Sequence, residues 1–215
     1  MSSSRRPVVA HTIPINEAEE EGPRYCIYTD AYGLEMTIDD EWEVDTILMA
    51  APELVDVITQ ETGATEMGTV YAGASHAPSD GNFQSVVDAE GKWILLSPDD
   101  NIAGALAVGL NVILSIQPEQ NLSSVLGGVP VTSENLIVAV EPTAVTTPGE
   151  TQTLLAPIRE ACHNLNCADA RVLLAAAIDH SEVLAYLAID EVDGFLLRAS
   201  TYHLVVDLLS QIADA

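Results

Sequence analysis

Carboxylates and histidines follow the ends of several short apolar runs in this sequence of 215 residues. Glu141 comes directly after the run at 136–140 and carries a carboxylate that could bind a metal ion. Other such residues could in principle join it as ligands of a metal ion: His76, His180, His203, Asp30 and Asp99. No His-x-His or other paired spacing supports a metal centre. We therefore expect ordinary loop histidines, no metal ion and no other cofactor.

Arg198 comes directly after another apolar run, at 193–197. A guanidinium in this position could bind a small anion, or it could form an ion pair with a carboxylate such as Asp30 or Glu141. Of these two alternatives we favour the ion pair.

Eight apolar runs would position these side chains. They lack polar alternation, which is typical of parallel strands that are covered on both faces. The predicted strands are Tyr25–Thr29, Thr46–Ala50, Thr69–Gly73, Trp93–Ser97, Asn111–Ser115, Leu136–Val140, Arg171–Ala176 and Asp193–Leu197. Eight strands alternating with helices predict an α/β fold, a closed (β/α)8 barrel, with a doubly wound open sheet as the alternative.

Helical periodicity fills several of the gaps between these runs. Apolar stripes predict helices over Thr153–Leu165, Ser181–Ala188 and Thr201–Ala213. The gaps at 33–45 and 121–130 are poorly periodic, so we expect some outer helices to be shortened there. Residues 1–23 carry too few apolar positions in register to build an element, and we expect an acidic, flexible N-terminal arm followed by one barrel domain over 24–215.

The composition restricts the partners and the setting. The chain has 33 acidic residues against 7 Lys and Arg, a net charge of −26, while 48% of its residues are apolar. Such self-repulsion is tolerated where concentrated salt screens it, which predicts a halophilic cytoplasm. Without a basic face we expect no nucleic-acid and no membrane partner. Three cysteines without C-x-x-C spacing predict reduced, mostly buried thiols.

Several of these runs resemble the archaeal triosephosphate isomerase family. The resemblance is carried by L-I-V-A-V-E-P from Leu136, by V-D-G-F-L-L-R-A-S from Val192 and by A-P-E-L-V-D from Ala51. Two further matches are I-L-L-S-P-D-D-N from Ile94 and Y-T-D-A-Y from Tyr28. Together they cover about residues 24–215 and imply a triosephosphate isomerase (TIM) barrel.

The same resemblance implies a degenerate site. Glu141 matches the family's catalytic base, but Asp30 stands where the family has a lysine and Pro98 where it has the histidine that polarises the substrate. Neither replacement can do the original work, because proline has no donor and a carboxylate repels the substrate phosphate. Other residues replace the phosphate-binding glycines of the family: Thr147, Ala175, Ala177 and Ser200.

These losses predict a pseudoenzyme in which Glu141 is retained but inactive. We expect a non-catalytic interaction or assembly protein that binds a protein partner or a second copy, with shortened helices leaving apolar barrel wall to be covered. The alternative is an isomerase for triose phosphate, or for a related small phosphorylated substrate, that uses Glu141 as its base with new partners such as Arg198 and His180.

Overall fold

The computed structural model describes residues 8–12, 25–30, 45–49, 71–74, 77–88, 91–144, 147–175 and 183–198. In the first four ranges, and at residues 183, 197 and 198, only the backbone is described. The strands are β1 Val8–Thr12, β2 Tyr25–Asp30, β3 Asp45–Met49, β4 Tyr71–Ala74, β5 Gly91–Leu96, β6 Asn111–Ile116, β7 Leu136–Val140, β8 Arg171–Leu174 and β9 Gly194–Arg198. The helices are α1 Gln84–Asp88, α2 Ile102–Ala107, α3 Leu122–Val125, α4 Pro148–Asn164 and α5 Val183–Leu187.

Strands β5 to β9 form a parallel sheet of five strands that curls into half a barrel. Each strand pairs with the next one along the chain, so the half-barrel has an unbroken sequential order. Helices α2 to α5 occupy the four connections between these strands, and α1 lies between β4 and β5. This part of the molecule confirms an α/β fold of the TIM-barrel type.

The other four strands continue the sheet at its two edges. Strand β4 pairs in parallel with β5, and β1 pairs in parallel with both β9 and β3. Strand β2 lies between β3 and β4 and runs antiparallel to both, which closes the strand order. Every predicted strand is found within about two residues of its expected position. The antiparallel direction of β2 was not expected.

Strand β1 lies inside the segment that the sequence predicted to be a flexible arm. Its backbone pairs on both sides, with Val8 opposite Asp45 of β3 and Gly194 of β9. Pairing on both sides satisfies backbone N–H and C=O groups that would otherwise remain open at the edges of β3 and β9. The other residues of 1–23, and the helix predicted at Thr201–Ala213, lie outside the described residues.

Alternate residues of the parallel strands pack into two different hydrophobic clusters. One set faces the barrel interior and packs into a small cluster: Trp93, Leu95, Ile113, Ile137, Ala139, Leu173 and Leu196. The other set packs against the helices, with Ile94, Val112, Leu114, Val138 and Val172 in a larger cluster that includes Leu155 and Ile158 of α4. Because both faces of each strand are buried, the strand sequences show no polar alternation.

The shortened helix predicted at 121–130 is present as the four-residue α3. It does not leave the barrel wall bare, because Leu122 and Leu126 are buried in the larger cluster together with Val131. The expectation of uncovered apolar wall is therefore wrong for this stretch. The other stretch for which it was expected, residues 33–45, is described only at Asp45.

Helix α4 begins five residues before its predicted start and is fastened at both of its ends. At its N-terminus, Thr147 and Glu150 form a capping box with Pro148 at the first position. Towards its C-terminus, Arg159 donates to the carbonyl oxygens of Ala170 at 2.7 Å and Glu191 at 3.1 Å. Arg159 also forms an ion pair with the buried Asp193, which in turn accepts the backbone N–H of Val172 at 2.7 Å.

Candidate functional site

The carboxyl ends of the parallel strands carry a polar layer above the interior cluster. Side chains two residues apart on a strand point to the same face, so Ser115 and Gln117 continue the interior row of Ile113. By the same parity Glu141 continues the interior row of Ile137 and Ala139. The ends of β6 and β7 therefore direct a hydroxyl, an amide and a carboxylate towards the barrel mouth, which is where sites lie in folds of this type.

Glu141 is held by two bonds to strand β6. Its carboxylate accepts the hydroxyl of Ser115, and its backbone N–H donates to the carbonyl oxygen of Ile116 at 2.8 Å. Ser115 is 7% exposed, so this hydrogen bond lies at the boundary between the apolar interior and the mouth. A hydroxyl donating to a carboxylate fixes the orientation of the carboxylate.

Gln117 adds an unpaired acceptor to the layer. Its side-chain Oε1 is buried and has no hydrogen-bond partner, while its backbone N–H donates to the side chain of Gln120 at 2.7 Å. Such a group costs free energy unless a ligand or water supplies a donor. Sequence reasoning did not identify Gln117 or Ser115, although the parity of the strand positions relative to Ile113 was available as a signal.

Pro98 lies in a closed turn at the end of β5. The backbone N–H of Ser97 donates to the carboxylate of Asp100 at 2.6 Å, and the backbone N–H of Asp100 donates to the carbonyl oxygen of Ser97 at 3.0 Å. The carboxylate of Asp100 thus serves the turn, and Asp99 beside it is exposed. This turn offers the mouth no imidazole and, at Pro98, no hydrogen-bond donor.

The N-terminus of α4 already holds a carboxylate. The backbone N–H and the hydroxyl of Thr147 both donate to Glu150, each at 2.8 Å. These two hydrogen bonds lower the pKa of Glu150 below its ordinary value of 4.5. Helix N-termini attract anions through their free N–H groups and the helix dipole, so an incoming phosphate would have to compete with Glu150 here.

Ala175 lies directly beyond β8, where the resemblance assigns a phosphate-binding glycine. Its backbone N–H donates to the carbonyl oxygen of Val140 at 2.8 Å, so this group extends the sheet and is not left open for an anion. The two other replaced positions of this kind, Ala177 and Ser200, lie outside the described residues.

The strand directions separate Asp30 from Glu141. Asp30 ends the antiparallel β2 and pairs with Asp45, the first residue of β3. It therefore lies at the end of the barrel where the parallel strands begin, whereas Glu141 lies at the opposite end, where these strands finish. Arg198 ends β9 and pairs with Thr12 at the end of β1, so its backbone lies at the same end of the barrel as Glu141. An ion pair between Arg198 and Asp30 does not fit this arrangement.

The three histidines considered as metal ligands, His76, His180 and His203, lie outside the described residues. Among the side chains that the structure does describe, no three His, Cys, Asp or Glu residues gather as metal ligands would. No helix within the described ranges has the length and apolar character that a membrane span requires.

Comparison with known proteins agrees with this geometry at the level of the fold. No protein-family model matches the chain, and no curated protein matches it in sequence. Among solved structures, the triosephosphate isomerase from Bartonella henselae matches with a TM-score of 0.65 and 16% identity, over 98% of this chain and 100% of that one. The chain has a triosephosphate isomerase-like fold. At this identity the TIM-like fold carries no activity with it.

Proposed function

We propose that this protein is a TIM-like barrel that does not catalyse triose-phosphate isomerisation and acts as an interaction or assembly protein. The observation that carries the proposal is the turn after β5. Pro98 stands where the resemblance assigns the polarising histidine, and the turn is closed upon itself by Asp100. Isomerisation needs a donor that stabilises the developing negative charge on the substrate oxygen, and losing one such donor costs about 3 kcal/mol of transition-state stabilisation.

The phosphate side of the proposed pseudoenzyme supports the same conclusion. Glu150 occupies the α4 N-terminus through two hydrogen bonds from Thr147. The backbone N–H of Ala175 is engaged by Val140. Each interaction uses a group that a phosphate would otherwise require, so binding a phosphorylated ligand would first cost these bonds.

The described residues expose little apolar surface that a partner could cover. Leu184 of α5, at 46% exposure, is the large apolar side chain that stands out as exposed among them. A single such residue is far below the apolar patch that obligate interfaces bury. We therefore propose a protein partner or a second copy that recognises an acidic, polar surface.

The proposal also covers the part of the barrel formed by the N-terminal strands and the cellular environment of the protein. We propose a full barrel, because the sequence matches to the TIM family extend through the segments around β2 to β4. We place the protein in the cytoplasm of a halophilic, archaeal cell, because its net charge of −26 requires screening by concentrated counterions.

An isomerase acting on triose phosphate or a related small molecule is the alternative, and the polar layer at the mouth favours it. Ser115 orients the Glu141 carboxylate, and Gln117 presents a buried acceptor without a partner. A small hydroxylated substrate could donate to Gln117 while Glu141 removes a proton from carbon. Under this alternative the electrophile would have to come from other groups, such as Arg198 and His180.

Two solution measurements test the proposal. Isothermal titration with glycerol 3-phosphate in molar KCl should give no heat of binding, because Glu150 and Ala175 occupy the anion positions. Light scattering over a concentration series should show a concentration-dependent mass, as self-association requires, or should show a mass increase on adding a purified partner. Tight phosphate binding by a strictly monomeric protein would contradict the proposal and support the isomerase.

A further inference from the structure

Two cysteines lie at the two contact positions of the turn that ends α4. The chain reverses at Asn166, which has a positive φ of 59°. The N–H of Cys167 donates to the carbonyl of Cys162 at 3.0 Å, and the N–H of Asn166 donates to that of His163 at 3.3 Å. These are the two hydrogen bonds of a Schellman motif.

A Schellman motif brings two particular side chains together. The residue after the left-handed position usually makes an apolar contact with a residue in the last helical turn, and here these two residues are Cys167 and Cys162. Both cysteines are fully buried. Both also belong to the larger buried cluster between the strands and α4. The backbone geometry therefore places the two cysteine side chains next to each other in this cluster.

We propose that Cys162 and Cys167 form a site of reversible oxidation, at which hydrogen peroxide or a similar two-electron oxidant converts the two thiols into an intrachain disulfide. This inference is independent of the proposed function, because the α4 turn lies on the outside of the sheet and shares no residue with the barrel mouth. The disulfide would fasten the end of α4 to the segment that enters β8.

The reaction balances through a sulfenic acid on one of the two sulfurs. The Cys167 thiolate attacks one peroxide oxygen, the O–O bond breaks, and the departing hydroxide takes up a proton to give water. The Cys162 thiol then attacks the sulfur of the sulfenic acid, the S–S bond forms, and a second water leaves. Two electrons pass from the sulfurs to the peroxide.

The environment assigns these two roles and sets the rate. Burial raises the pKa of Cys162 to about 12, which makes it a poor first nucleophile. Burial also raises the pKa of Cys167, but the hydrogen bond that it accepts from Cys162 opposes this rise. Cys167 is thus the better attacking sulfur. Because the thiolate is scarce at neutral pH, oxidation is slow and accelerates by up to about tenfold per pH unit as the thiolate fraction grows.

The positions of the arginines make the test direct. Trypsin cleaves after Arg159 and Arg171, and the resulting peptide of residues 160–171 contains Cys162 and Cys167 but not Cys26. Folded protein is incubated with hydrogen peroxide in molar KCl at pH 7, 8 and 9, quenched with catalase and alkylated with iodoacetamide in denaturant. We expect the peptide to become two hydrogen atoms lighter, to lose both alkyl groups, and to regain both after treatment with dithiothreitol.

Two variants serve as controls for this assay. Cys26→Ser should leave the result unchanged, because the pair is intact. Cys162→Ser should stop the loss of two hydrogens and leave Cys167 with oxygen adducts or a single alkyl group. The wild-type peptide map stands by itself if a variant fails to fold. Both thiols still alkylated after prolonged peroxide treatment, or stable oxygen adducts in place of the disulfide, would overturn the proposal.

Discussion

The hydroxyl of Ser115 donates a hydrogen bond to the carboxylate of Glu141 across neighbouring strands of the half-barrel. Ser115 lies two residues beyond Ile113 on the interior face of β6, and it is almost fully buried. The Glu141 carboxylate, which the sequence identified as a candidate base, is thus oriented by a hydrogen bond from the interior side of the barrel. This contact is compatible with a positioned base and with a structural remnant, and substitutions separate the two.

Replacing Ser115 with alanine should destabilise the fold. The change removes a charge-assisted hydrogen bond from a buried position, which corresponds to about 1–3 kcal/mol of unfolding free energy. Urea denaturation in molar KCl measures the difference. The matched control is Ser123→Ala, because Ser123 is exposed in α3 and its loss should change stability by less than about 0.5 kcal/mol. Equal effects of the two substitutions would show that the bond to Glu141 adds nothing.

Replacing Asp193 with asparagine should be more costly. Asp193 is 6% exposed, pairs with Arg159 and accepts the N–H of Val172, so the change leaves the guanidinium of Arg159 without a negative charge beside it. Breaking a buried pair on one side costs about 3–5 kcal/mol. Thermal and urea unfolding provide the measurement, with Glu119→Gln as an exposed control that also removes one negative charge. A loss below 1 kcal/mol (on the order of a surface pair) would contradict the structural role assigned to Arg159.

The capping box at α4 predicts a particular dependence on pH. The hydrogen bonds from Thr147 lower the pKa of Glu150 in the folded state, so its contribution to stability is present above its unfolded pKa. That contribution is lost as the pH falls through the lowered folded pKa. Glu150→Gln should therefore be less stable than the parent protein at pH 7, and the difference should shrink at acidic pH below 4.5. A difference that is constant down to pH 3 would rule out this assignment.

The acidic composition predicts a strong effect of salt on folding. With a net charge of −26, repulsion between the acidic side chains should lower the thermal unfolding midpoint at about 0.1 M KCl. The midpoint should rise at about 3 M KCl, because the Debye length falls there to roughly 3 Å or less. Thermal unfolding followed by circular dichroism at both concentrations gives the shift. An equal concentration of betaine, which carries no net charge, controls for excluded-solute effects. A midpoint that does not change with KCl would contradict the halophilic setting.

The sequence predicted the strands well because burial on both faces produces a local signal. Runs such as Leu136–Val140 contain enough β-branched and apolar residues to be recognised without any tertiary information. Strand direction carries no such signal. Whether β2 runs with or against β3 depends on how the chain returns to the sheet, and the apolar pattern of Tyr25–Asp30 is the same in both directions.

The candidate site was predicted only in part, for a related reason. Glu141 was identified because the L-I-V-A-V-E-P run resembles the strand of the triosephosphate isomerase family that ends in the catalytic base. Ser115 was missed because one hydroxyl inside a run resembles a neutral strand residue, and its partner lies 26 positions away in the chain. Asp30 was expected near Glu141 on the assumption that all strands are parallel. The antiparallel direction of β2 places it at the opposite end of the barrel.

The most direct test of the central claim is a coupled assay for the conversion of glyceraldehyde 3-phosphate to dihydroxyacetone phosphate in molar KCl. The protein is compared with Glu141→Gln, which keeps a hydrogen-bond acceptor near Ser115 and removes the base. The account predicts turnover no higher than that of the variant, because Pro98 supplies no donor and Glu150 holds the anion position. Turnover that disappears in Glu141→Gln would contradict it and establish Glu141 as a working base.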